Sequence, residues 1–254
     1  MKNYRKLLAG SLALLLAVGI TGCSNTSGGG TGVANEDGLV VLNVASTGQP
    51  VSFDPADANL VVNEYTEYDC YDTLLDFNQD GTDVVPALAE SWEQVDDLTY
   101  TYKIREGVKF SDGSDLTMDD VLYSLNRVRE DAYGMSYLFE HVDSFEVDEK
   151  TRTLTVHLTQ PDSTWKYVPA TTPCQILKKS VVEAEGDAYG TNEGSVVGTG
   201  PYKFVSWAAD SQIVLEKNEY WWGGADNLAI DKINFYVMKD ASTIALSLIH
   251  ISEP

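Results

Sequence analysis

The sequence predicts a mixed fold of strands and helices, α/β or α+β, on three observations. Short runs of alternating apolar residues, the mark of half-buried strands, are interleaved with apolar residues spaced three and four apart, the mark of helices. Turn signals rich in Gly, Pro and Asp separate these segments, and no internal repeat is visible. With 254 residues and 43% of them apolar, the chain can bury a sizeable core.

Leu39 to Ala45 reads as a short, largely apolar strand ending at Ser46-Thr47-Gly48. The stretch Pro50 to Asn59 contains FDPADAN, whose Pro and Asp residues mark a turn-rich loop. Val61 to Leu75 fits a helix carrying Tyr65, Tyr68, Tyr71 and Leu75 at spacings of three and four. Pro86 to Val95 carries the small unit PALAESW. Leu98, Tyr100, Tyr102 and Ile104 fall on one face of a strand. After the turn Ser111 to Ser114, Thr117 caps a helix from Met118, with Asp119 and Asp120 at the positive end of its dipole. Its buried stripe is Val121, Leu122, Leu125 and Val128.

Phe145 to Val147 and Thr153 to Leu158 flank Asp148 to Arg152 as strand, turn and strand, with Leu154, Val156 and Leu158 inward. Ser180 to Glu185 is a short helix stopped by Gly186. Gly198-Thr199-Gly200-Pro201-Tyr202 opens another β region, and Ile230 to Val237 sets Ile233, Phe235 and Val237 on one face.

Charge excludes one class of function. With 39 acidic and 17 basic side chains the net charge is −22, whereas nucleic-acid binding needs clustered Lys and Arg for the phosphates. The N-terminus has its own logic. Lys2, Arg5 and Lys6 precede the apolar run Leu7 to Ile20, short for a bilayer-spanning helix, and together they read as a secretory signal. Ile20-Thr21-Gly22-Cys23 resembles the bacterial lipobox, which implies residues 1–22 as a lipoprotein signal peptide and lipidation of Cys23. Ser24 to Gly32 has no apolar residue, and residues 23–38 read as a flexible tether. Cleavage takes the charge to −25, a surface that anionic headgroups repel, so membrane attachment falls to the acyl chains on Cys23.

Catalytic and metal chemistry find little support. His141, His157 and His250 are not at metal-ligand spacing, and His157 shares the polar face of its strand with Thr153 and Thr155. No G-x-S-x-G, H-E-x-x-H or CxxC occurs, and GTGPY lacks the Gly-Lys-Ser/Thr end of a P-loop. No cofactor or metal is expected. Cys70 lies among aromatic residues in a helix, so a buried free thiol is expected, with pairing to Cys174 the alternative. Trp92, Trp207, Trp221 and Trp222 read as structural, although aromatic residues also suit a ligand cleft.

The order of segments then becomes informative. FDPADAN, PALAESWE, LTYTYKIREGVKFSDGSDLTMDDVLYSLNRV, GTGPYKFVSW and LEKNEYWWG, in that sequence, resemble the oligopeptide, dipeptide and nickel type of extracellular solute-binding protein that serves ABC importers. Each segment alone is weak; the ordered set, over Leu39 to Leu246, is specific. The resemblance implies a type II periplasmic-binding-protein fold in which residues 39–72 plus 178–245 form the first domain and residues 73–177 an inserted subdomain. Members reach roughly twice this length, so the second lobe is expected to follow. Residues 246–254, LSLIHISEP, depart from the family and read as a non-native adapter-derived tail, which removes His250 from any functional argument. A piece lacking its second lobe is expected to fold poorly alone.

The resemblance places Asn59, Leu60 and Val61 beside the backbone of a bound ligand, with Tyr133, Tyr137, Thr171, Thr172 and Pro173 lining the cleft. Main-chain groups at such a site hold a peptide as an added strand, irrespective of its side chains. The implied protein is a monomeric, lipid-anchored receptor on the outer face of the cytoplasmic membrane that passes peptides to an ABC permease. Nickel chelate, haem, oligosaccharide or a signalling peptide are the alternative ligands, and an extracytoplasmic hydrolase is the remote one.

Overall fold

The computed structural model describes residues 33–34, 38–56, 61–130, 134–238 and 240, with side chains described outside 33–34 and 61–65. Among these residues a five-stranded sheet, a four-stranded sheet and a two-stranded ribbon are joined by three α-helices.

The five-stranded sheet holds β1 (Val33–Ala34) and β2 (Val40–Ser46) from the start of the chain. Its other strands, β9 (Tyr202–Ala208), β10 (Gln212–Lys217) and β11 (Lys232–Val237), come from the end. The order is β1-β2-β11-β10-β9, and only β11 runs parallel to β2, with Asn234 opposite Asn43. That pair is a polar register mark: Asn234 donates to Asn43 at 2.9 Å and accepts from Gln212 at 3.1 Å, tying three strands together. Asp231 adds a clamp beside it, accepting from the Val40 amide at 2.8 Å and Lys217 at 2.6 Å.

The four-stranded antiparallel sheet has the order β5 (Ala89–Asp96), β6 (Thr99–Ile104), β8 (Thr153–Leu158), β7 (Val142–Asp148). The expected alternation holds: Tyr100, Tyr102, Ile104, Leu154, Val156 and Leu158 are buried. Leu98 lies just before β6 and is exposed. His157 sits on the outer face, half-buried, 3.7 Å from the Glu146 carboxylate, as a solvated histidine should. PALAESW resolves into the end of β4 (Val84–Pro86), which pairs with β3 (Leu75–Phe77), a buried Ala87-Leu88, and the start of β5.

Helix α2 (Met118–Arg129) packs on this second core. Thr117 and Asp120 form the full capping box, each satisfying the other's free backbone N–H. Its buried stripe contains Val121, Ser124, Leu125, Arg127 and Val128, whereas Leu122 is only half-buried. Helix α3 (Lys179–Glu185) stops at Gly186, whose φ of +53° favours glycine.

Helix α1 (Val61–Cys70) ends five residues earlier than its apolar spacing predicts. The reason is competition for its last carbonyls and side chains. Gly200 donates to the Cys70 carbonyl at 3.0 Å and Ile176 to the Asp72 carbonyl at 2.9 Å. The apolar residues then divide between two cores. Tyr71 packs with Phe53, Leu177, Tyr202, Leu215, Ile233 and Phe235, while Leu74 and Leu75 join the cluster that runs from Leu74 to Ile176. Cys70 and Cys174 are both free and buried.

Candidate functional site

The chain crosses from one core to the other just after helix α1, and Thr171 to Pro173 stand beside that crossing. The FDP turn lies on the first core. Phe53 is fully buried, edge-on to Phe204 at 5.2 Å and Trp207 at 5.6 Å, and its amide donates to the Gly190 carbonyl at 2.7 Å. The Asp54 amide donates to Ser52 Oγ at 2.9 Å, and Asp54 Oδ1 accepts from the Ala56 amide at 3.1 Å, an Asx turn. Both Asp54 oxygens also receive the Arg127 guanidinium, Nη1 to Oδ1 at 2.6 Å and Nη2 to Oδ2. This fork-to-fork pair is buried and joins residues 73 positions apart. The Tyr71 hydroxyl donates to the Phe53 carbonyl at 3.1 Å and lies 2.9 Å from that of Tyr189, whose ring is 5.9 Å from the Arg127 guanidinium carbon. Burial pushes both phenols well above the usual tyrosine range.

Helix α1 presents three further polar groups. Thr66 lines an apolar depression formed by Val44 to Ser46, Gly48, Pro50, Ile213 and Phe235 to Val237. This depression sits at the carboxyl ends of the parallel pair β2 and β11, where open α/β sheets bind ligands. Tyr68, 46% exposed, accepts a hydrogen bond from Thr172 Oγ1 at 2.9 Å. Asp69 keeps partial exposure, yet desolvation pushes its carboxyl up to about 7. A more open groove along β9 is lined by Ser111, Asp112, Ser195, Lys203 and Val205. Its charges pair locally, Lys203 with Glu219 at 2.8 Å and Asp112 with Lys178.

Of the residues expected at the ligand, Asn59, Leu60 and Tyr133 lie outside the described residues, as do the lipidation candidate Cys23 and the 246–254 tail. Val61 is the first residue of α1, seven positions before Tyr68. Thr172 and Pro173 are buried in the 3₁₀ turn Thr172–Cys174, and Thr171 bonds back to the Val168 carbonyl at 2.7 Å. Tyr68 thus ties helix α1 to the expected turn at Thr172. Tyr137 stands 66% exposed on the 3₁₀ turn Ser136–Phe139. The sequence reading missed Tyr68, Asp54 and Arg127 as site elements. Arg127 had a signal, a cation on the stripe of an amphipathic helix. Among the described residues no cluster of three or more His, Cys, Asp or Glu could hold a metal.

The glycines of GTGPY serve packing. A Cβ at Gly198 would run into the Cys70 carbonyl, and one at Gly200 would stand 2.5 Å from the Cys70 carbonyl carbon. Trp222 packs against the second core and donates from Nε1 to Asp72 at 2.8 Å, with the Arg105 guanidinium 4.5 Å from its ring centre.

A mixed sheet with a parallel central pair, interrupted by an inserted second core, defines a lobe of a type II periplasmic binding protein, and solved structures of that class overlay on the chain. The Helicobacter pylori periplasmic binding protein DppA, solved with the peptide STSA, superposes with a TM-score of 0.71 at 28% identity, over 83% of this chain and 45% of that one. OppA of Haemophilus influenzae, solved with the peptide RPPGFSPFR, gives 0.73 at 25% identity, over 86% and 46%. Residues 83–250 match the family described as "Bacterial extracellular solute-binding proteins, family 5 Middle", and the chain belongs to that family. Among curated relatives, the dipeptide-binding protein DppE of Bacillus subtilis is 29% identical over 264 aligned positions, covering 96% of this chain and 48% of the relative. The Escherichia coli dipeptide-binding protein is 31% identical, covering 79% and 41%. The chain therefore spans less than half the length of these relatives.

Proposed function

We propose that this chain supplies one lobe of a solute-binding protein that captures peptides outside the cytoplasmic membrane and delivers them to an ABC permease. The carrying observation is the family match across residues 83–250, supported by relatives that are named for peptides in both sequence and structure. In this reading residues 39–72 with 178–245 form the first domain and residues 73–177 the inserted subdomain, a division that the two buried clusters support. The ligand backbone lies against Asn59, Leu60 and Val61, with Thr171, Thr172 and Pro173 on one flank and Tyr133 and Tyr137 on the other. The opposing wall comes from the part of the relatives' length that this chain does not span. The mechanism is binding followed by hinge closure, with no covalent step, and the closed form is what the permease recognises.

Cys23 carries the lipid anchor, and the receptor acts as a monomer. Among the described residues no helix is long and apolar enough to cross a membrane. Palmitate labelling of the wild-type protein, lost in Cys23→Ala, is the expected result for the anchor; equal labelling would refute it. Haem is the second ligand reading, because heme-binding protein A of Haemophilus influenzae is 29% identical over 220 residues. Calorimetry against peptide pools, with a spectral titration of haem in parallel, separates them: peptide heat with no haem spectrum is expected, and the reverse would overturn the peptide reading.

A further inference from the structure

The stretch from Phe53 to Tyr71 contains the residues expected to meet the ligand, and the structure ties it at both ends to elements far away in sequence. At the first end, Arg127 of α2 grips both Asp54 oxygens, the Phe53 amide bonds the Gly190 carbonyl, and Ser52 and Ala56 complete the turn. At the other end, the Tyr71 hydroxyl reaches back to the Phe53 carbonyl and pairs with Tyr189. Gly190 lets this closure happen: its φ is +76°, and a Cβ there would stand 2.6 Å from the Asp54 amide nitrogen. Arg127 belongs to the helix whose apolar side packs in the second core, yet its guanidinium is buried against the first. A cation this enclosed costs desolvation, which the bidentate carboxylate offsets only with good geometry. An ordinary core position would carry a leucine here.

We propose that Arg127 is a positioning residue for ligand binding: through Asp54 it fixes the turn whose Phe53 carbonyl receives the Tyr71 hydroxyl, and so sets where Tyr68 of helix α1 stands relative to Thr172. The proposal rests on the solute-binding reading given above, and it gives helix α2 a part in placing the ligand, beside the subdomain residues already set against it.

The test uses the full chain within its solute-binding protein, comparing wild type, Arg127→Gln, Arg127→Lys and Tyr189→Phe. Amide hydrogen exchange is read at residues 53–56 and 66–71 and, as an internal reference, in β6 and β8; peptide affinity is read by calorimetry. Arg127→Gln is expected to speed exchange at 53–56 and 66–71 by at least about tenfold with β6 and β8 unchanged. It is also expected to weaken peptide binding by about tenfold or more. Arg127→Lys keeps the charge without the fork and should fall between. Tyr189→Phe removes only the hydroxyl pair and guards against misfolding of the arginine variants. Its exchange should rise at 66–71 first. Uniform acceleration across both cores, or local acceleration with unchanged peptide affinity, overturns the positioning role. A wild-type protein that binds no peptide overturns the solute-binding reading and the positioning role with it. The exchange pattern then reports only whether the pair anchors the turn.

Discussion

Replacing Gly200 by alanine places one methyl group where the structure has least room. The added Cβ would stand 2.5 Å from the Cys70 carbonyl carbon and 2.7 Å from both the Asp69 carbonyl oxygen and the Tyr71 nitrogen. All three are backbone atoms, so no side chain can rotate away. Reaching ordinary contact near 3.4 Å means moving the end of α1 and the GTGPY turn apart by roughly 0.9 Å. That shift breaks the Gly200 to Cys70 bond at 3.0 Å and disturbs the Asn218 to Gly200 bond at 2.8 Å. Overpacking costs about 1–3 kcal/mol and each buried hydrogen bond about 1 kcal/mol, so a loss of about 3–4 kcal/mol is expected. The control is Gly81→Ala, where φ is +66° but nothing lies within 4 Å. It should cost only about 1 kcal/mol of backbone strain. Urea titrations of both variants, with the slope checked for constancy, measure the difference. Equal losses in the two variants would refute the argument that GTGPY is retained for close backbone approach.

Other expectations follow from single contacts. Desolvation holds the Asp69 carboxyl near 7 in the folded chain, above its ordinary 3.8, so the folded state keeps a proton that the unfolded state releases. The stability from this group is complete below the unfolded value and is lost as pH rises through 7. Asp69→Asn should therefore flatten the dependence of Tm on pH between about 4 and 7 and raise Tm at pH 8, and parallel profiles would contradict this. Trp222→Phe removes the bond to Asp72 and weakens the Arg105 stack, for an expected loss of about 1–2 kcal/mol in urea titration. Burial pushes the Cys70 thiol up and that of Cys174 up to about 12. Both should react with a thiol reagent at pH 8 only at the rate of unfolding, and labelling faster than that would show an open path to them.

The elements that could be read from the sequence are those stabilised by their own neighbours. The β6 and β8 alternation, the Thr117 cap on α2 and the Gly186 stop of α3 depend on residues within a few positions, and each stands as expected. What escaped depends on partners far along the chain. Helix α1 stops at Cys70, whose carbonyl accepts from Gly200, and the Asp72 carbonyl just beyond accepts from Ile176, partners that no local spacing records. Tyr68 shares the helical spacing of the buried Tyr71 and Leu75, yet it stands 46% exposed and accepts from Thr172, 104 positions away. Leu122 yields its place on α2 to Arg127 because the helix faces two cores at once. The parallel pairing of β2 with β11 crosses nearly the whole chain, and its asparagine register mark looks like two unrelated polar residues in sequence.

Calorimetric titration of the protein carrying this chain with pools of short peptides, paired with small-angle scattering, tests the central claim most directly. Saturable binding of one peptide per protein, insensitive to side-chain composition within a pool, is expected, with a smaller radius of gyration in the bound state. No heat with any pool and an unchanged scattering profile would contradict it.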